Sequence, residues 1–161
     1  MKKILVPLDL SEFSLEAIEP ANLLASFSQA QMYLLHVMPI ISPHSCPCVD
    51  YQSETALRDA EDDSLQFLEA LRGEKIYNPR KLVRVIRRGE PIVQIIQFAR
   101  DEDIDLIVIT THGQTGFARV LPGSIAEEVI RRSPVPVLVV NPRAIRERLF
   151  EEKHLKVSTD P

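Results

Sequence analysis

The chain has 161 residues, 45% of them hydrophobic and 26% charged, which suits one globular domain with a full core. A net charge of −4 excludes nucleic-acid binding through a broad basic face, and Arg84, Arg87 and Arg88 read as a solvated strand edge. No apolar run is long enough to cross a bilayer, and Pro7 and Asp9 cut short the signal-like start Met1-Lys2-Lys3, so a cytoplasmic protein is expected.

The apolar run Lys3 to Leu8 predicts a first strand, followed by a helix with Ala17, Ile18, Ala21, Leu24 and Ala25 at helical spacing. Met32 to Met38 predicts a second strand. Ile40 to Ser53, with Pro43 and Pro47 and no clear period, reads as a long loop. In that loop Cys46 and Cys48 stand too close for a structural disulfide. With His44 they lack the wider spacing and fourth ligand of a zinc site, so an ordinary surface loop is the simpler reading.

Glu54 to Arg72 predicts a helix with Leu57, Ala60, Leu68 and Leu71 inward, and Lys81 to Arg87 a third strand. Glu90 to Glu102 predicts a helix with Pro91 in its first turn, where a missing N–H costs little, and with Ile92, Ile95, Ile96 and Ala99 buried. Ile104 to Ile109 is a fourth strand, Ser124 to Arg132 a helix and Val135 to Val140 a fifth strand. This alternation implies a parallel sheet covered by helices on both faces. A charged tail, 142–161, follows the domain at 1–141; Ile145 and Leu149 offer it one helical stripe.

Strand character points to an order. The first and fourth strands are apolar nearly throughout, as central strands buried on both faces must be. The third carries Arg84, and the fifth opens on Ser133-Pro134-Val135-Pro136, both marks of an edge. The order 3-2-1-4-5 satisfies all four. Its winding reverses between strands one and four, where doubly wound sheets bind ligands.

Two segments meet at that reversal. Asp9 leaves strand one, either as a turn residue or as a ligand contact. The loop Thr110-Thr111-His112-Gly113 leaves strand four and ends at Gly123-Ser124, where the next helix begins. A helix start offers bare N–H groups and about half a positive charge to an anion, phosphate above all. Ser124 reads two ways, because Ser124-x-x-Glu127 is also a capping box that needs no ligand. Gly113 and Gly116 also suit a tight loop. His36 reads as a satisfied core histidine, and His112 has no serine or cysteine partner for catalysis. Arg119 reads equally as a phosphate contact or as a solvated side chain.

The whole stretch Lys2 to Asn141 resembles the universal stress protein family. Its markers are Ile4-Leu5-Val6-Pro7-Leu8-Asp9 with Ser11, Leu35-His36-Val37, Gly89-Glu90-Pro91, Asp105 to Ile109, the loop through Ser124, and Ser133 to Val140. The resemblance implies a three-layer α/β sandwich of the adenine nucleotide α-hydrolase-like kind. It also implies a homodimer through the fifth strand and a nucleotide-dependent regulatory role with ATP and Mg2+. Pro7 and Asp9 would border the adenosine, Val37 would offer backbone groups to the adenine, and Ile109 and Thr110 would line the sugar. Gly113, Gly123, Ser124 and Ile125 would wrap the phosphates, with Mg2+ bridging their oxygens.

In ATP-binding members the loop pattern opens with a glycine, where this chain has Thr110; glycine there lets the backbone pass close to the ligand. A nucleotide-free interaction or chaperone-like module is therefore the alternative. A slow ATPase or phosphotransferase is a third reading. The chain has no Walker lysine and no arginine clamp with a general base, so no efficient catalysis is expected.

Overall fold

Strands and helices alternate in the computed structural model, which describes residues 1–40, 54–71, 81–111 and 124–141. Strand β1 (Lys3–Leu8) is followed by helices α1 (Glu12–Leu15) and α2 (Ile18–Ser28), then β2 (Gln31–Met38) and α3 (Glu54–Ala70). Next come β3 (Leu82–Arg88), α4 (Pro91–Asp101), β4 (Leu106–Thr110), α5 (Ile125–Arg132) and β5 (Val137–Val140). All pairs are parallel and the sheet order is β3-β2-β1-β4-β5, the order read from strand character.

Period-two alternation gives each central strand two buried faces. Ile4, Val6, Leu34 and Val108 form one core with Ala17, Ile18, Ala21 and Ala25 from the α1–α2 segment and Leu68 of α3. Leu5, Leu35, Ile107 and Ile109 form the other with Ile95, Phe98 and Ala99 of α4 and Ala126 and Val129 of α5. The edges differ as expected. Most of β3 is half-buried, and β5 leaves Leu138 and Val139 partly open.

Four expectations shift in detail, the first being that β4 begins at Leu106 rather than Ile104 and runs on to Thr110. On α3 only Leu68 is fully enclosed, with Leu71 beside it, while Ala60 is exposed, because this helix covers the margin of the sheet over β2 and β3. On α4 the buried stripe rotates to Ile95, Phe98 and Ala99, leaving Ile92 and Ile96 half-buried. Phe98 meets the Tyr33 ring edge-on at 5.6 Å, and the Arg87 guanidinium lies over the Phe98 ring, 4.8 Å from its centroid. Finally, β5 begins at Val137, since Pro134 and Pro136 cannot donate to a ladder and Ser133 Oγ binds both the N–H and the carbonyl of Val135.

The arginines of β3 are structural. Arg84 donates to the Leu68 carbonyl at 2.9 Å, Arg87 pairs with Asp101 and Arg88 with Glu61.

At the opposite end of the sheet from the β1–β4 crevice, one carboxylate fastens the first strand. Asp105 Oδ2 accepts from Lys2 N at 2.5 Å and Lys3 N at 2.9 Å, tying the start of β1 to the start of β4. These two backbone donors hold the Asp105 carboxyl below its ordinary 3.8. A lowered folded-state pKa stabilises above the unfolded value, and that stabilisation is lost as pH falls through the folded value. Asp105→Asn is therefore expected to show its full deficit at neutral pH. The gap to wild type should close below 3.8, read from urea midpoints across a pH series. A gap that widens with acidification would contradict the assignment.

Candidate functional site

Asp9 follows the C-terminal end of β1, and the described ends of the second flagged segment are Thr110, the last residue of β4, and Ser124, just before α5. After β1 the chain enters α1 and α2, which cover one face; α5, which follows β4 in the described structure, covers the other. The C-terminal ends of β1 and β4 are thus the reversal point at which open α/β sheets bind ligands in a crevice.

The lacing of β1 is unequal. It pairs with β2 over its whole length, from Lys3↔Gln31 to Leu8↔His36, but with β4 only at Ile4↔Leu106 and Leu5↔Ile107. Lys2 O accepts from Gln31 N and Lys3 O from Asp105 N, so even residues of β1 face β2 and odd ones face β4. The next donor toward β4 would be residue 7. It is proline and has no N–H, so the ladder toward the crevice stops there.

Beyond the end of β1 a tight turn forms. Asp9 Oδ1 accepts from Ser11 N at 3.0 Å and Ser11 Oγ at 2.5 Å. Leu10 adopts a left-handed φ of 63°. Ser11 then caps α1, its Oγ accepting from Ser14 N at 3.2 Å. Asp9 is thus a turn residue, and that turn fixes its carboxylate at the crevice end of β1. The Asp-x-Ser spacing carried this signal; the left-handed Leu10 had none.

Pro7, Val37, Ile109 and Thr110 are all buried near the same ends. Thr110 is extended within β4, opposite Val140, and by alternation lies on the face of Val108, toward α1. Ile109 lies on the face of α4 and α5.

On the other side, Ser124 is the N-cap of α5. Its Oγ accepts from Glu127 N at 3.2 Å and its carbonyl from Glu128 N at 3.0 Å. The capping reading therefore holds. The N–H groups of Ile125 and Ala126 lack intrahelical acceptors by their position in the first turn, which leaves a place for an anion. Glu128 does not oppose one as strongly as its position suggests, because Arg132 Nε pairs with it at 2.8 Å and Arg131 pairs with it as well. Ile125, the first residue of α5, is exposed.

Sequence reasoning missed two contacts at this end. Gly89 N donates to Met38 O at 2.9 Å, and Glu90 caps α4 by accepting from Ile92 N and Val93 N. The Gly-Glu-Pro run was the available signal. Gly113 and Gly123 lie outside the described residues, as do His44, Cys46, Cys48, His112, Gly116, Arg119 and the tail 142–161. Among the described residues no cluster of histidine, cysteine and acidic side chains could hold a metal, and no helix is long and apolar enough to cross a membrane.

Comparison with known proteins places this geometry. Residues 1–141 match the universal stress protein family. Universal stress protein MJ0531 of Methanocaldococcus jannaschii is 33% identical, over 86% of this chain and 81% of its own length. The structure of universal stress protein UspA from Lactobacillus plantarum superposes with a TM-score of 0.66 at 27% identity, covering 86% of this chain and 97% of that one. A universal stress protein in complex with cAMP superposes at 0.57 with 25% identity, covering 88% and 97%. With its sheet order and a family match across the whole sheet, the chain belongs to the universal stress protein family.

Proposed function

We propose that this chain is an ATP-binding regulatory protein whose nucleotide lies across the crevice between β1 and β4. In this reading Pro7, Asp9 and Val37 border the adenosine, and Ile109 and Thr110 line the sugar. Gly113, Gly123, Ser124 and Ile125 take the phosphates. The observation that supports it is topological: the Asp9 turn follows β1, Ser124 caps the helix that comes after β4, and the winding of the sheet reverses between those two strands. A family neighbour solved with cAMP supports an adenine nucleotide as the ligand class. Mg2+ would bridge phosphate oxygens, the hard oxygen ligands it prefers.

The nucleotide acts as a signal in this proposal: its binding closes the neighbouring loops and changes which partner protein is recognised, without efficient hydrolysis and in the cytoplasm. The protein works as a homodimer joined by β5, the strand at one margin of the sheet, where Leu138 and Val139 are partly open among the described residues. The threonine at position 110 favours a second reading, a nucleotide-free interaction module.

One set of measurements separates them. The purified protein is denatured and any small molecule released is identified by mass, and ATP with Mg2+ is titrated calorimetrically into nucleotide-free wild type and Thr110→Gly. Release of an adenine nucleotide and saturable binding by wild type are expected, with a light-scattering mass of twice the chain. Binding by Thr110→Gly alone would establish the nucleotide-free reading. Binding by neither would end the ATP proposal.

A further inference from the structure

His36 is part-buried near the end of β2, and its Nδ1 lies 2.9 Å from Leu8 O. Leu8 offers only a carbonyl, so Nδ1 must carry the proton, which fixes the ring tautomer. Leu8 is the last residue of β1, and Asp9 follows it directly. The bond therefore grips the chain one residue before the turn that holds the Asp9 carboxylate.

That grip matters because of Pro7. On its β4 side β1 has no ladder beyond Leu5↔Ile107, and Pro7 has no N–H with which to extend it. On its β2 flank the tip of β1 is held by the ladder up to Leu8↔His36 and by the His36 side chain. The turn it launches is a demanding one, with Leu10 at a left-handed φ of 63° and Asp9 Oδ1 accepting from both Ser11 donors.

We propose that His36 is a positioning residue for the nucleotide site, setting the Asp9 turn through Leu8 O without touching the ligand. The inference rests on the nucleotide reading above for its ligand and on the Leu8 contact for its mechanism. Removing the bond lets the β1 tip sample positions in which Asp9 is misplaced. Apparent affinity then falls in proportion to the competent fraction.

The experiment compares wild type, His36→Leu and His36→Asn. Asparagine places an amide nitrogen where Nδ1 stands, whereas leucine fills the space without a donor. Two readouts are taken on each: calorimetric affinity for ATP with Mg2+, and hydrogen-exchange protection of the Ser11 amide, which donates to Asp9. Loss of one hydrogen bond predicts that His36→Leu weakens binding by about three- to tenfold and lowers Ser11 protection to a similar degree. His36→Asn should restore both to within about twofold of wild type on the same reasoning. Unchanged Ser11 protection in His36→Leu overturns the proposal, whatever the nucleotide does. So does equal damage from asparagine and leucine, which would make the role one of packing. Lowered protection with undiminished affinity overturns it too. A wild-type protein that binds no nucleotide would instead sink the ATP reading and with it the ligand half of this proposal. The exchange data would still decide whether His36 sets the turn.

Discussion

Leu34→Ala is expected to destabilise the protein by about 2–5 kcal/mol, the largest loss from any single truncation considered. Leu34 sits in the middle of β2, which is flanked by β1 and β3, and its side chain is wholly enclosed. It belongs to the core that also holds Ile4, Val6, Ile18 and Leu68, so the atoms around it come from a strand and two helix segments. Such a site cannot collapse inward, because the sheet backbone is fixed by ladders on both sides. Against a typical total stability of about 5–15 kcal/mol, that loss is large enough to unfold a sizeable fraction at physiological temperature. Urea titration followed by circular dichroism measures it, with an unchanged slope as the sign that the folded state survives. Phe27, 81% exposed on α2, is the control. Its truncation should shift stability by no more than about 0.5 kcal/mol. Similar losses at the two positions would mean that the core has been drawn in the wrong place.

The second large effect is predicted at Gly89. Its φ of +143° belongs to a region that side chains avoid, and a Cβ built there would stand 3.0 Å from Gln94 Nε2 and 3.1 Å from Gln94 Cγ. Gly89→Ala is therefore expected to cost about 1–3 kcal/mol, part of it backbone strain and part collision. The two parts are separable. Trimming Gln94 to alanine removes the collision and leaves the strain, so the double variant should recover a fraction of the loss and no more. Thermal unfolding of the two single variants and the double variant gives the cycle. Complete recovery would show that φ carries no penalty here. The position has more than local weight, since Gly89 N is bonded to Met38 O at the end of β2, and Glu90, the next residue, caps α4 with two hydrogen bonds.

Much of the fold was legible because parallel sheets leave a strong mark. Strands buried on two faces must be apolar almost without interruption, as in Ile4 to Leu8 and Leu106 to Ile109, and edges are free to carry Arg84 or Pro136. From those contrasts alone the strand order followed. What failed was finer. Helix periodicity allowed Ile92 and Ile96 into the α4 stripe, but the aromatic contact between Tyr33 and Phe98 decides how that helix is rotated, and no local pattern encodes a partner on another element. The start of β5 was read two residues early for a similar reason, since valine favours a strand while the flanking prolines deny it a ladder. At the site, Asp9 and Ser124 were legible as polar residues at element ends. The grip of His36 on Leu8 O was not, because it joins two strands whose register only the folded sheet supplies.

The central pairing of β1 with β4 joins residues about a hundred positions apart, whereas β1 meets β2 within about thirty. On a ribosome working at about 5–20 residues per second, β1 would wait several seconds for its second neighbour. Throughout that interval the growing chain would hold a partial sheet whose most apolar strand lies open at its margin. Synthesis, rather than the finished protein, is therefore when this molecule is most exposed to aggregation, and a chaperone arriving before β4 emerges would meet Ile4, Leu5 and Val6.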